Sequence, residues 1–82
     1  MKHKIRVRNH VFSVSWSVAR AKEGVWYGFF TVGEVFPHTE YSRPTVQKYV
    51  DILVTEGLIE CIHYHGATRL YRFADVGQAY QE

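Results

Sequence analysis

Among its 82 residues this chain has one cysteine, one methionine and two prolines. A single cysteine excludes an internal disulfide, so no covalent staple holds the fold. No apolar run approaches the roughly 20 residues of a transmembrane helix, and no signal-peptide pattern is present. The expectation is an intracellular, cytoplasmic protein without membrane contact, nucleoid-associated if the source is bacterial or archaeal. There is no glycine-rich phosphate loop, no HExxH pair and no nucleophile elbow. The acidic residues are scattered. Neither an enzyme, nor a cofactor, nor a small-molecule substrate is expected. Net charge is only +2, which by itself does not announce nucleic acid.

What is present is a core. Apolar residues make up 46% of the chain and aromatics 16%, ample for a small globular unit. The length allows one domain, 1–82, divided into a basic arm (1–10), a core (11–73) and a C-terminal tail (74–82). A domain this small buries a modest share of its surface. A homodimer is one way to bury more, and an exposed Trp16 or Trp26 would point to it. The positive charge is unevenly spread. Lys2, Lys4, Arg6 and Arg8 carry +4 within the first eight residues, and the remainder stands at −2. Such an arm can lie along a nucleic-acid backbone or in a minor groove. It can equally be a strand edge protected by charge.

The segment from Ser42 to Ile59 is the most readable. Val46, Val50, Leu53 and Val54 recur at helical spacing and form one apolar stripe. Pro44 falls in the first turn, where a missing N–H is harmless. Ser42 is placed to cap that turn, and Gly57 can end the helix in the left-handed conformation. The opposite face carries Gln47, Lys48, Asp51 and Thr55, with Arg43 at its N-terminal end. A helix of this kind can enter a DNA major groove N-terminus first.

Upstream, Thr31-Val32-Gly33-Glu34 has the spacing of a capping box, which predicts a short helix from Val32 to about Phe36. His38 to Tyr41 is then the turn of a helix-turn-helix. Downstream, residues 60–65 and 68–73 flank Gly66-Ala67 and read as a β-hairpin. In that register Tyr64 pairs with Arg69 and Ile62 with Tyr71, and Ile62, Tyr71 and Phe73 share the core face. The front of the chain is ambiguous. Phe12 to Val18 alternates like a strand, yet Val11, Val14, Val18 and Ala21 lie at helical spacing. The expectation is a helix from about Ser13 to Glu23, with Ile5 and Val7 offering an extra strand; a strand running from Ile5 to Trp16 is the alternative.

The phrases "FFTVGEVF", "SRPTVQKYVDILVTEGLIE" and "HYHGATRLYRF" together resemble a winged helix-turn-helix domain. The likeness runs from about Phe29 to Phe73, roughly half of the chain. It implies an α+β fold of three helices and a C-terminal β-hairpin wing, with Phe29-Phe30 as a short strand. It implies a double-stranded DNA partner and a transcriptional regulator, with Arg43, Thr45, Gln47 and Lys48 on the helix in the major groove. Arginine and lysine suit guanine edges, and glutamine suits adenine. Tyr41 and Ser42 are placed for phosphates at the helix start, as is Thr31 one helix earlier. His65, Thr68 and Arg69 form the wing tip, where an arginine reads minor-groove shape. Lys2, Lys4 and Arg6 would add backbone contacts. Ser42 and Thr31 can also simply cap helices, and the polar face can be merely solvated. A protein-docking module is the rival function, since fold alone does not fix function.

Cys61, His63 and His65 alternate, so a straight strand points them to one face. These residue types bind zinc or copper. Alternate strand residues are about 6.6 Å apart, however, which spreads three ligands too widely for one ion. A half-buried thiol beside wing histidines, and no metal, is the expectation.

Overall fold

The computed structural model describes residues 2–66 and 68–81. Helix α1 spans Lys2–Arg20, strand β1 Phe29–Phe30, helix α2 Val32–Val35 and helix α3 Arg43–Thr55. Strands β2 (Ile59–His65) and β3 (Thr68–Phe73) follow, then helix α4 (Asp75–Gln81). Short 3-10 turns cover Gly24–Trp26 and Phe36–His38. The three strands form one antiparallel sheet in the order β1-β3-β2. This is the winged helix arrangement, with a fourth helix appended.

Helix α1 departs most from expectation. It begins at Lys2, not Ser13, and ends at Arg20, not Glu23. The basic arm and the expected extra strand at Ile5 and Val7 are both part of this helix. The cause is a four-residue stripe, Val7, Val11, Ser15 and Ala19, of which no member is more than 2% exposed. These short side chains let α1 lie close against α2, α3 and β1. Burial of that stripe outweighs the local alternation of residues 12–18. The exposed Ser17 is tolerated in the helix because its Oγ donates to the Ser13 carbonyl at 3.2 Å.

The capping box at α2 is complete. The Glu34 N–H donates to Thr31 Oγ1 at 3.2 Å, and the Thr31 N–H donates to Glu34 Oε1 at 3.0 Å. Helix α3 opens on Ser42, whose Oγ accepts the Thr45 N–H at 3.4 Å. It buries Val46, Tyr49, Val50 and Leu53. Val54, expected in that stripe, is half-buried, and Tyr49 takes the buried position. The helix closes in a Schellman motif. Gly57 has φ +80°, and its N–H donates to the Val54 carbonyl while the Leu58 N–H donates to the Leu53 carbonyl, both at 3.0 Å.

The hairpin register holds at the tip, where Tyr64 faces Arg69 and His65 faces Thr68. It shifts lower down. A bulge between Cys61 and His63 leaves Ile62 unpaired and 40% exposed. Cys61, not Ile62, therefore faces Tyr71, and Ile59 faces Phe73. The same bulge ends the expected alignment of Cys61, His63 and His65. Cys61 shares the core face with Tyr71, while His63 sits across from Leu70 on the other face.

The core gathers around Phe73 and Tyr71. Phe12 and Trp16 each pack a ring 5.1 Å from Phe73, and Phe30 stacks on Tyr71 at 5.6 Å. Residues 74–82, expected as a tail, are helical from Asp75 to Gln81. The Ala74 N–H donates to the Leu58 carbonyl at 3.1 Å, and buried Gly77 rests against that same carbonyl. A Cβ at Gly77 would collide with the Leu58 oxygen, so only glycine lets α4 sit there.

Candidate functional site

The first turn of α3, the start of α2 and strand β3 converge on a narrow polar cleft. It is lined by Thr31, Arg43, Gln47, Thr68 and Arg69, with Tyr71 at its floor. Five of the residues expected to bind DNA are thus brought together by three separate elements. Strand alternation explains the part of Arg69 and Tyr71, whereas Thr68 meets the cleft from the first position of β3. Arg69, Tyr71 and Phe73 point to the inner face, and Thr68 and Leu70 to the outer one.

Arg43 is exposed and leans from α3 onto α2. Its guanidinium carbon lies 5.8 Å from the Phe36 ring centroid, and Nη2 comes within 3.3 Å of where a Cβ on Gly33 would stand. A side chain at Gly33 would push this arginine aside. Lys48 is exposed one turn on, with Nζ 5.7 Å from the Tyr49 ring. Ser42 is exposed, and its Oγ donates to Thr45 Oγ1 at 3.0 Å. Tyr41 is half-buried against the core and meets the His10 ring edge-on at 6.1 Å.

Gln47 is differently placed from Arg43. It is half-buried, and its Nε2 donates to Asp51 Oδ1 at 2.9 Å and to the Tyr71 hydroxyl at 3.0 Å. Both amide hydrogens are engaged within the molecule. Pairing with adenine would require one of those bonds to break. Arg69 reaches the same carboxylate, with Nη1 3.6 Å from Asp51 Oδ1. Asp51 and Tyr71 therefore tie the wing to α3. The spacing of Gln47 and Asp51, one helical turn apart, is a readable signal for half of this network. The Tyr71 hydroxyl gives no such signal, because its partner lies 24 residues away.

Thr31 is occupied too. Its hydroxyl accepts the Glu34 N–H and lies 3.2 Å from Glu34 Oε1. Lys22 Nζ closes on the same carboxylate at 2.7 Å. Partial burial pushes the Glu34 carboxyl up, but hydrogen bonds from Lys22 and Thr31 and the lysine charge outweigh it. The net position is below the ordinary carboxylate value.

The basic start of α1 is elsewhere. Lys4 and Arg6 are exposed on its first turns. Arg8 grips Glu56, the C-cap of α3, with Nη1 2.7 and 2.9 Å from the two carboxylate oxygens. That contact sets the beginning of α1 beside the far end of α3 from Arg43. The side chains of Lys2 and His65 lie outside the described residues.

A second exposed feature lies in the aromatic segment that follows α1. Val25, Trp26 and Tyr27 form an apolar knuckle, 81%, 57% and 49% exposed. Beside it the Arg20 guanidinium lies 4.0 Å from the Trp16 ring centroid and 5.2 Å from that of Tyr27. Among the described residues no cluster of histidine, cysteine and carboxylate side chains could hold a metal ion. Nor is any described helix long and apolar enough to cross a membrane.

No family model and no curated relative matches this chain. Among solved structures it is similar to the type III plasmid segregation protein TubR. The two superpose with a TM-score of 0.63 at 20% identity, over 95% of this chain and 76% of that one. Likeness at that identity establishes a shared fold.

Proposed function

We propose that this chain binds double-stranded DNA sequence-specifically, inside the cell, as a transcriptional regulator or in a related DNA transaction. Helix α3 enters the major groove, and the wing follows the backbone or the minor groove. One observation carries this reading: exposed Arg43 and Lys48 stand on the leading half of α3 while Arg69 of the wing converges on the same cleft. Cations from two elements then meet one phosphate track. The fold's likeness to a protein of plasmid segregation, a process performed on DNA, supports the same direction.

The decisive experiment is selection of bound duplexes from a random pool, followed by titration at several salt concentrations. Affinity is expected to fall by about 0.9 log unit per log unit of salt for each phosphate neutralised. The double variant Arg43→Ala, Lys48→Ala should lose the selected site. Retention of wild-type affinity by that variant would remove α3 from the interface.

The knuckle of Val25, Trp26 and Tyr27 favours a second reading, a protein-docking module, because so much apolar surface stands uncovered. It also supplies surface for a homodimer. Absence of any mobility shift at low salt, together with self-association or partner capture lost on Trp26→Ser, would favour docking over DNA.

A further inference from the structure

We infer that Asp51 is an internal stand-in for a DNA phosphate, holding the wing arginine in place until a backbone phosphate displaces it. The inference rests on the DNA-binding reading and adds a regulatory step to the same site. Asp51 sits on the outward face of α3, and its side chain is 52% exposed. An anion on a face meant for a polyanion is opposed by repulsion, so its presence asks for a compensating role. Its partners supply one. Asp51 Oδ1 accepts from Gln47 Nε2 at 2.9 Å and lies 3.6 Å from Arg69 Nη1. Gln47 in turn holds the Tyr71 hydroxyl, two residues along β3 from Arg69. The hairpin is therefore pinned to the helix at two points.

The two pins differ in strength. The bond from Gln47 to Tyr71 is part-buried and 3.0 Å long. The pair of Arg69 and Asp51 is half-exposed and loose, with side chains 42% and 52% accessible. An exposed pair at such a distance is worth little, and a backbone phosphate offering a full charge on two free oxygens can replace it. The Tyr71 pin then keeps the wing aligned while Arg69 changes partner. Of the groups around the carboxylate, Gln47 donates to it, Arg69 pairs with it, and the Thr55 hydroxyl engages only the Asp51 backbone carbonyl. Exchange of Arg69 thus leaves Asp51 still hydrogen-bonded.

The test is a double-mutant cycle on a labelled duplex, read by fluorescence anisotropy at low salt. Asp51→Asn keeps an acceptor for Gln47 and removes the charge. It should tighten binding by about 1.5- to fivefold, the range of a weak exposed ion pair. The gain should vanish in the Arg69→Ala background, because the arginine no longer has a contact to surrender. Equal tightening in both backgrounds would make Asp51 a general repulsor and overturn the exchange. No tightening at all would overturn it as well. Failure of the wild-type chain to bind any duplex would remove the DNA reading and this step together. Thermal unfolding of each variant separates these outcomes from loss of fold. Asp51→Ser serves as a second uncharged variant with a hydroxyl acceptor for Gln47.

Discussion

Two basic regions of this molecule invite comparison, and the one with more charge in sequence has the poorer geometry. The start of α1 packs Lys2, Lys4, Arg6 and Arg8 into eight residues. It is a helix end whose Arg8 is spent on Glu56, at the C-cap of α3. The region around Arg43, Lys48 and Arg69 has fewer cations spread over 27 positions of sequence. Folding brings Arg43 and Arg69 to one cleft, with Lys48 on the next turn of α3. Density along the chain reports electrostatic steering at best. Convergence in space decides where a duplex can seat.

The largest expected effect breaks or upholds that contrast directly. Arg43→Ala should weaken the selected duplex by about 1–3 kcal/mol, roughly five- to 150-fold, if the guanidinium meets a base edge. Lys4→Ala with Arg6→Ala should change affinity far less at physiological salt. Equal losses from both, measured in one titration series, would erase the distinction between the two regions. Next in size is Gln47→Ala. It removes the bond to the Tyr71 hydroxyl and should lower stability by about 1 kcal/mol in chemical denaturation. If Gln47 reads adenine instead, the variant would relax base preference at one position and leave stability unchanged.

The contrast also explains what was legible in the sequence. Helix α3 was readable because each of its signals is local: a serine cap, an early proline, an apolar stripe and a terminal glycine. The Thr31–Glu34 box is likewise contained in four residues, and the structure forms both of its bonds. The start of α1 was not readable in this way. Its helical face depends on Val7, Val11, Ser15 and Ala19 being covered by three other elements, while the valines and serine in it locally disfavour a helix. The outward turn of Ile62 is hidden in the sequence because a bulge has no marker in an apolar strand. Helix α4 is hidden for a related reason. Gly77 lowers helix propensity in isolation and becomes favourable only against the Leu58 carbonyl. In the cleft, the residues were legible one by one. Their division into free-facing Arg43 and Lys48 and inward-tied Gln47 was not, because the Tyr71 hydroxyl that ties Gln47 comes from the wing.

A smaller effect tests the anchoring of the arm. The pair of Arg8 and Glu56 is partly exposed, so a double-mutant cycle with alanine at both should give a coupling of about 0.2–1 kcal/mol. That coupling should shrink with added salt, as expected of a screened surface pair. A coupling of zero would mean that the contact does not hold the start of α1 at the far end of α3. The arm could then swing toward a bound duplex, and the comparison between the regions would lose its structural basis.

The smallest effect lies at the cleft side and is read by acid. Glu34 titrates below its ordinary value of 4.5 in the folded chain because Lys22 and Thr31 hold the carboxylate. A carboxyl depressed by folding contributes stability that is complete above the unfolded value and is lost as pH falls through the folded one. Stability measured by denaturant should therefore decline as pH drops below about 4.5, beyond what other carboxylates cause. Glu34→Gln should flatten that part of the profile. It should also loosen the α2 cap, because the amide accepts the Thr31 N–H without the charge that attracts Lys22. Since Thr31 lines the cleft with Arg43, a loosened cap should weaken duplex binding slightly, while Arg8→Ala at the other end should not. An acid profile identical in wild type and Glu34→Gln would show that the cap holds through its backbone bonds alone.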